Sequence, residues 1–429
     1  MRKISAVALV AAFVVAACGG GAGGGTAATG AAATSAGAAA VPAGPITIGA
    51  VLPLTGAFSA SGNYFKQGYE LATKEINDAG GLDVGGSKHQ ITLSILDDGS
   101  NGTKSRSLVE QLVTQNKVTA LLGGYDTSLV EAQQAVPDQY KIPMVEAGGA
   151  ASAIFTRGNK YLFGTLATID ILGKNTMDFL KYWIDQGKLP KPLTIALVWE
   201  NTDHGKDYQA AVDQAAKDSP DYFKVLLDQS FELNGSDYTS LLTQVKAANA
   251  AAFLSDAHLP DFITMHKQYT QLGLSHKFVS YGARGPDQKG RDALAAAADY
   301  LVAGLWWTPA QPDQGSKDFT AKWMAAYKDA SGKPVIPDWF QALSYETARV
   351  LYAGMTKAGS LDGTKIRDAL SSLDFTGSIV PGGHISFDAT GKPKTQIVMT
   401  QNLPGGKVAL VWPKNVAGYA DAIMPFPAK

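Results

Sequence analysis

Strand-length apolar runs alternate with helix-length amphipathic stretches from Ile46 to Tyr281, and that alternation restricts the chain to a parallel-sheet α/β fold. Ile46 to Leu52 ends at Pro53 and reads as a buried strand. Tyr64, Phe65, Gly68, Tyr69, Ala72 and Ile76 then share one helix face, and Asn77-Asp78-Ala79-Gly80-Gly81 stops that helix. Further strands are expected at 90–96, 118–122 and 142–145, with a helix at 103–116. Ser128-Leu129-Val130-Glu131 has the spacing of a capping box and opens another helix. The rhythm restarts after a helix at 169–186. Strands at 193–198, 223–227, 251–254 and 278–281 alternate there with helices from 205, at 238–248 and at 260–272. Two doubly wound sheets are therefore expected, with ligand sites at the carboxyl ends of their strands, facing across a cleft. The tail is more mixed, with helices near 317–330, 340–358 and 363–373 and strands near 385–387, 396–401 and 408–412.

The one cysteine among 429 residues is Cys18. It follows a cationic start, Met1-Arg2-Lys3, and an apolar run from Ile4 to Ala17 that is too short for a permanent span and right for a secretory signal. Val15-Ala16-Ala17-Cys18 resembles the bacterial lipobox, which implies cleavage before a diacylated cysteine. Each buried acyl methylene adds about 0.8 kcal/mol to such an anchor. No other run is long enough to cross a bilayer. Residues 1–17 are expected to be the signal peptide and 18–45 a Gly/Ala tether, which reaches about 25–30 Å as a flexible coil. With no second cysteine the exported body has no disulfide and stands on its core. Its length exceeds a single core, so two lobes are expected. A net charge of −1 gives no electrostatic footprint for nucleic acid.

The chain resembles type I periplasmic binding proteins of the leucine/isoleucine/valine-binding family, the solute receptors of ABC importers. The resemblance rests on pieces in a joint order. They are Ile48-Gly49-Ala50-Val51-Leu52-Pro53-Leu54-Thr55-Gly56, Glu75-Ile76-Asn77-Asp78-Ala79-Gly80-Gly81, Asp97-Asp98, Gly123-Gly124-Tyr125-Asp126-Thr127-Ser128, Ile142-Pro143-Met144-Val145, Glu200-Asn201-Thr202-Asp203-His204-Gly205, Tyr345-Glu346-Thr347-Ala348 and Ile385-Ser386-Phe387-Asp388-Ala389-Thr390-Gly391-Lys392-Pro393. It implies two lobes joined by a three-crossing hinge. Lobe 1 comprises 46–165 and 306–378, and lobe 2 comprises 166–305 and 379–429. It also implies capture of a small polar solute, an amino acid or related carboxylate or amide, and its delivery to a membrane permease. The receptor is expected to be a monomer outside the cytoplasm that touches the membrane only through its lipid.

The resemblance also suggests contacts. Thr127 aligns with a serine that holds the ligand carboxylate, and Tyr125 and Asp126 share its loop. Glu146 to Ala150 aligns with a second carboxylate loop, where Gly148 and Gly149 offer backbone groups while Ala150 stands in place of a threonine. Ser61 takes a position that is often aromatic, with Phe58 nearby. His204 aligns with a tyrosine lining the cleft, Asp256 and His258 follow a strand in a ligand-contacting loop, and Phe340 aligns with a pocket aromatic beside Trp339. Tyr281 to Arg284 occupies the loop where amino-acid binders place a glutamate for the ligand ammonium. No acid stands there, so Glu146 or Asp256 must replace it, or else the ligand lacks an ammonium. No Gly-x-Ser-x-Gly, Ser-x-x-Lys, His-Glu-x-x-His or Walker pattern occurs, and the histidines lack a metal-ligand spacing. Neither cofactor nor metal is expected, and the alternatives are a sensor for a signalling kinase or a membrane-anchored hydrolase.

Overall fold

The computed structural model describes residues 41, 44–414 and 416–427. The signal segment, Cys18 and nearly all of the tether lie outside the described residues.

The first half runs β1 (Ile46–Leu52), α1 (Ser59–Asp78), β2 (Leu82–Val84), β3 (Ser87–His89), β4 (Ile91–Asp97), α2 (Gly102–Thr114), β5 (Ala120–Leu122), α3 (Thr127–Gln133), α4 (Ala135–Tyr140), β6 (Met144–Glu146), α5 (Ala153–Thr156) and β7 (Leu162–Gly164). Then follow α6 (Ile169–Asp185), β8 (Leu193–Glu200), α7 (Asp203–Asp218), β9 (Phe223–Phe231), α8 (Thr239–Ala248), β10 (Ala252–Asp256), α9 (Leu259–Gln271), β11 (Phe278–Tyr281), α10 (Gln288–Leu294) and β12 (Val302–Leu305). The tail adds α11 (Gln314–Ala326), α12 (Trp339–Ala358), α13 (Gly363–Ser371), β13 (Asp374–Thr376), β14 (His384–Ser386), β15 (Val398–Leu403) and β16 (Lys407–Trp412).

Two large sheets result. One has the order β4-β1-β5-β6-β7 and is parallel throughout. The other has the order β16-β15-β12-β11-β10-β8-β9; it is parallel from β12 to β9, and β15 and β16 join antiparallel at its edge. The interior strands are buried on both faces, which is why they read as unbroken apolar runs rather than alternating ones. The chain passes between the two halves after β7, after β12 and before β15. Near the last passage, β14 pairs only with β13 in a small hairpin.

α12 returns from the late part of the chain to the first half. Tyr352 and Thr73 hydroxyls meet at 2.6 Å, and Tyr345 donates to Glu75 at 2.7 Å. Gly68 permits the close crossing of α1 and α12, because a Cβ there would lie 1.9 Å from Ser344 Oγ. Val350, Leu351 and Met355 are fully buried along this seam, and each such side chain contributes about 1.5–3 kcal/mol. No described helix is long and apolar enough to cross a membrane.

The sequence reading missed β2, β3, β7, β12 and β13, all of four residues or fewer. The α3 cap also differs from expectation. Asp126, not Ser128, is the N-cap, and its carboxylate accepts from the Ser128 N–H at 2.8 Å.

Candidate functional site

Adjacent strands deliver a charged cluster to one edge of the larger sheet. β8 and β10 run side by side in parallel, with Asp256 opposite Trp199, so their last residues Glu200 and Asp256 emerge together. Both strands lead into helices. His204 lies in the first turn of α7, and His258 is the residue before α9. His204 Nδ1 is 2.7 Å from Asp256 Oδ2 and 3.4 Å from Glu200 Oε1. His258 Nδ1 is 2.6 Å from Glu200 Oε2. Thr202 completes the ring by donating to Glu200 Oε1 at 2.7 Å.

The smaller sheet answers from across the cleft. Asp126, in the loop after β5, places Oδ2 2.9 Å from His258 Nε2. Its φ of +81° is uncommon for any residue but glycine. The conformation is held by that ion pair and by bonds from the Ser128 N–H and hydroxyl.

These groups set one another's protonation. Burial opposes charge on His204, yet the Asp256 and Glu200 carboxylates push it up to about 10. His258 also rises well above its ordinary value against burial, through Glu200, Tyr125 and Asp126. Burial would raise Glu200 and Asp126, but the imidazoles hold both low. Asp256 stays raised, with burial outweighing the pull of His204.

A cavity of about 20 Å³ touches this cluster. Tyr125, Thr127, Gly148, Ala150 and Leu166 line it from one side, His204, Asp256 and His258 from the other, and Arg284, Trp306 and Trp339 close it. Arg284 is buried. It donates to Tyr125 Oη at 3.2 Å and to the Ala257 carbonyl at 3.3 Å, and it pairs with Asp287 at 3.3 Å. Its guanidinium lies 5.3 Å from the Phe340 ring centre and 5.7 Å from that of Trp339. The Trp339 indole N–H is buried, with no hydrogen-bond partner among the described residues. A more open groove of about 430 Å³, bounded by Tyr64, Lys289 and Asp338, is a separate feature that shares no lining residue with the cavity.

Of the residues singled out from the sequence, Tyr125, Thr127, Gly148, Ala150, His204, Asp256, His258 and Arg284 line the cavity. Asp126 stands just behind, on His258. The others lie elsewhere. Glu146 is fully buried beneath the loop, and its Oε2 accepts from the Gly148 and Gly149 N–H groups at 2.7 Å each. The backbone donors expected for a ligand are thus already paired within the protein, and Glu146 does not face the cavity. Burial pushes this carboxyl up to about 7, against the pull of the Gly149 and Gly148 N–H groups. Gly149 packs inward, where a Cβ would lie 2.4 Å from Ile154 Cδ1. Tyr281 is core, with its hydroxyl 3.1 Å from His266 Nδ1. Ser61 is buried in the first turn of α1. Phe340 backs Tyr125 at 5.5 Å between ring centres. Sequence reasoning missed Trp306, whose ring centre is 4.6 Å from that of Trp339, and the cluster role of Glu200. The Glu200-x3-His204 spacing carried the signal, but only the strand order joins it to Asp256.

Residues 45–407 match the family model described as periplasmic binding protein. The chain belongs to the periplasmic binding protein family. As a member it is a binding protein, and the family acts outside the cytoplasm. It is 24% identical over 385 residues to the Leu/Ile/Val-binding protein homolog 8 of Brucella abortus, which covers 87% of this chain and 91% of the relative. The fold is shared with the substrate-binding protein LivJ from Streptococcus pneumoniae, solved with isoleucine, at a TM-score of 0.73, 22% identity and coverage of 86% of this chain and 100% of the other. It is shared equally with an R. palustris solute-binding protein solved with benzoate, at a TM-score of 0.73, 19% identity and coverage of 89% and 98%. These relatives are binding proteins rather than enzymes. The periplasmic binding protein fold thus has its two halves meeting at the cavity described above.

Proposed function

We propose that this periplasmic binding protein traps a small solute with a carboxylate and an apolar body between its lobes, and passes it unaltered to an ABC permease. The observation that carries this reading is the buried Arg284 guanidinium at the cavity, beside an indole N–H of Trp339 that lacks a partner among the described residues. A guanidinium fork suits a carboxylate, and a buried unpaired donor gains by meeting an acceptor. Trp306 and Trp339 supply apolar wall. The isoleucine and benzoate held by the two structural relatives both combine a carboxylate with an apolar body, which supports this class.

The halves meet through His258–Asp126, Arg284–Tyr125 and the Asp207 carboxylate, which accepts from the Ser152 hydroxyl at 2.7 Å. A cavity of about 20 Å³ holds little more than a water. A solute of this class therefore enters when the lobes part, by rotation at crossings near 165, 306 and 378 between a lobe of 46–165 and 306–378 and a lobe of 166–305 and 379–429. Thr127, His204 and Asp256 contact it from opposite walls. In this reading Cys18 carries the lipid that keeps the receptor at the membrane.

The test is a thermal-shift panel of amino acids, aromatic acids and matched amides, alongside mass spectrometry of small molecules released on denaturation. A carboxylate solute at about 100 times its dissociation constant stabilises by about 2.7 kcal/mol. Arg284→Ala abolishes that shift. Amides that stabilise as well as the acids, or a solute returned chemically changed, would refute the reading.

A further inference from the structure

We propose that Glu200, His204 and Asp256 form a binding site for a divalent transition-metal ion of the zinc type, set in the wall of the cleft. One donor atom from each of the three lies within 4.8 Å of the other two. Imidazole nitrogen with carboxylate oxygens is a zinc-type donor set. Four-coordinate zinc with bonds of about 2.0–2.1 Å holds its ligands about 3.3 Å apart. The His204 Nδ1 to Glu200 Oε1 separation of 3.4 Å already matches that spacing. The His204 to Asp256 separation of 2.7 Å is a hydrogen-bond distance, so the Asp256 carboxylate steps back by about 0.6 Å to admit the ion.

Three independent features separate this cluster from an ordinary surface ion pair. It is buried, with side-chain exposures of 0%, 14% and 2% for Glu200, His204 and Asp256. It holds an excess of acid: among the described residues, the cations paired with Glu200, Asp256 and Asp126 are the two imidazoles of His204 and His258. A divalent ion bound at His204 Nδ1 displaces the proton which that nitrogen shares with Asp256, and the exchange supplies the one positive charge by which the set is short. Finally, His204 and Asp256 also line the cavity, so the cluster has an edge that opens onto it. The surrounding bonds also suit a metal site. Thr202 donates to Glu200 Oε1, and His258 holds the other Glu200 oxygen while being held itself by Asp126. Such outer partners fix the orientation of ligands around a metal.

The open side of the ion faces the cavity, where an oxygen of the solute completes its coordination. Only that last statement rests on the solute-binding reading, and an ion titration without solute tests the site alone. Full-length protein, stripped by chelator and dialysed, is titrated with Zn2+ by calorimetry and with Co2+ by visible absorption. One Zn2+ per chain is expected, together with the intense visible bands of low-coordinate Co2+. His204→Ala and Asp256→Asn each weaken Zn2+ binding at least tenfold. His384→Ala, at an exposed histidine paired with Asp374, leaves it unchanged. Circular dichroism and gel filtration establish that each variant is folded, and Asp256→Asn serves should His204→Ala fail to fold. No saturable Zn2+ binding by the wild type overturns the site, as does binding by folded Asp256→Asn equal to that of the wild type. Should Arg284→Ala lose solute binding while retaining Zn2+, the ion site stands apart from the carboxylate seat.

Discussion

On the Thr127 side of the cavity, Thr127 and the loop from Glu146 to Ala150 pair their polar atoms with neighbours in the same half of the molecule. Glu146 takes the Gly148 and Gly149 N–H groups, and Thr127 Oγ1 takes the Ala150 N–H at 3.1 Å. On the His204 side, five charged groups pair with one another, and one of them, Asp126, comes from the opposite half. The first wall is pre-set and near neutral. The second changes its pairing whenever the halves separate. A buried group with a local partner is part of the scaffold, whereas a buried charge whose partner lies across a cleft ties electrostatics to the motion.

Glu146 gives the largest test of the neutral wall. Its ordinary value of 4.5 rises to about 7 on folding. A carboxyl raised in the folded state gives its full stability below pH 4.5 and loses it as pH rises through 7. The loss amounts to about 3 kcal/mol by pH 8. Glu146→Gln keeps an oxygen for the two glycine N–H groups and cannot ionise. Its melting temperature is expected to exceed that of the wild type above pH 7 and to equal it near pH 4. Parallel melting curves for the two proteins across that range would show that Glu146 is charged in the fold and that the two walls are alike.

Asp126→Asn addresses the other wall. Asparagine tolerates a positive φ and keeps the cap on the Ser128 N–H, so the change isolates the charge facing His258. A hydrogen bond between charged groups is worth about 2 kcal/mol. The closed form should lose about that much, seen as a larger radius of gyration in solution scattering and a weaker response to solute. Unchanged compactness would mean that the His258–Asp126 pair does not hold the halves together.

The two walls also differ in how far the sequence disclosed them. Thr127, Gly148 and Ala150 are legible because they sit in contiguous motifs next to β5 and β6, where local order carries the resemblance. The strand ends point to His204, Asp256 and His258 one by one, but no local pattern brings them together. Their proximity depends on β8 and β10 being neighbours, and strand order is set by long-range pairing that no local pattern encodes. The burial of Glu146 is hidden from the sequence for a different reason. A glutamate at a strand end reads as exposed, and only the two glycine N–H groups folded over it explain why it is inside. Trp306 escaped notice because β12, which delivers it, is four residues long and gives no periodicity to read.

Thr127→Ala is the smallest effect and the sharpest discriminator between the walls. The substitution removes the acceptor of the Ala150 N–H and leaves that donor at the cavity edge. The stability cost is about 1 kcal/mol, the low end for an unpaired buried donor, because water in the cavity can reach it. Solute affinity should fall further than stability, since Thr127 presents the same hydroxyl to the carboxylate in the proposed site. Thr127→Ser retains the oxygen and should restore both quantities. A loss of affinity no larger than the loss of stability would confine Thr127 to the scaffold and leave recognition of the carboxylate to Arg284 and the His204 wall.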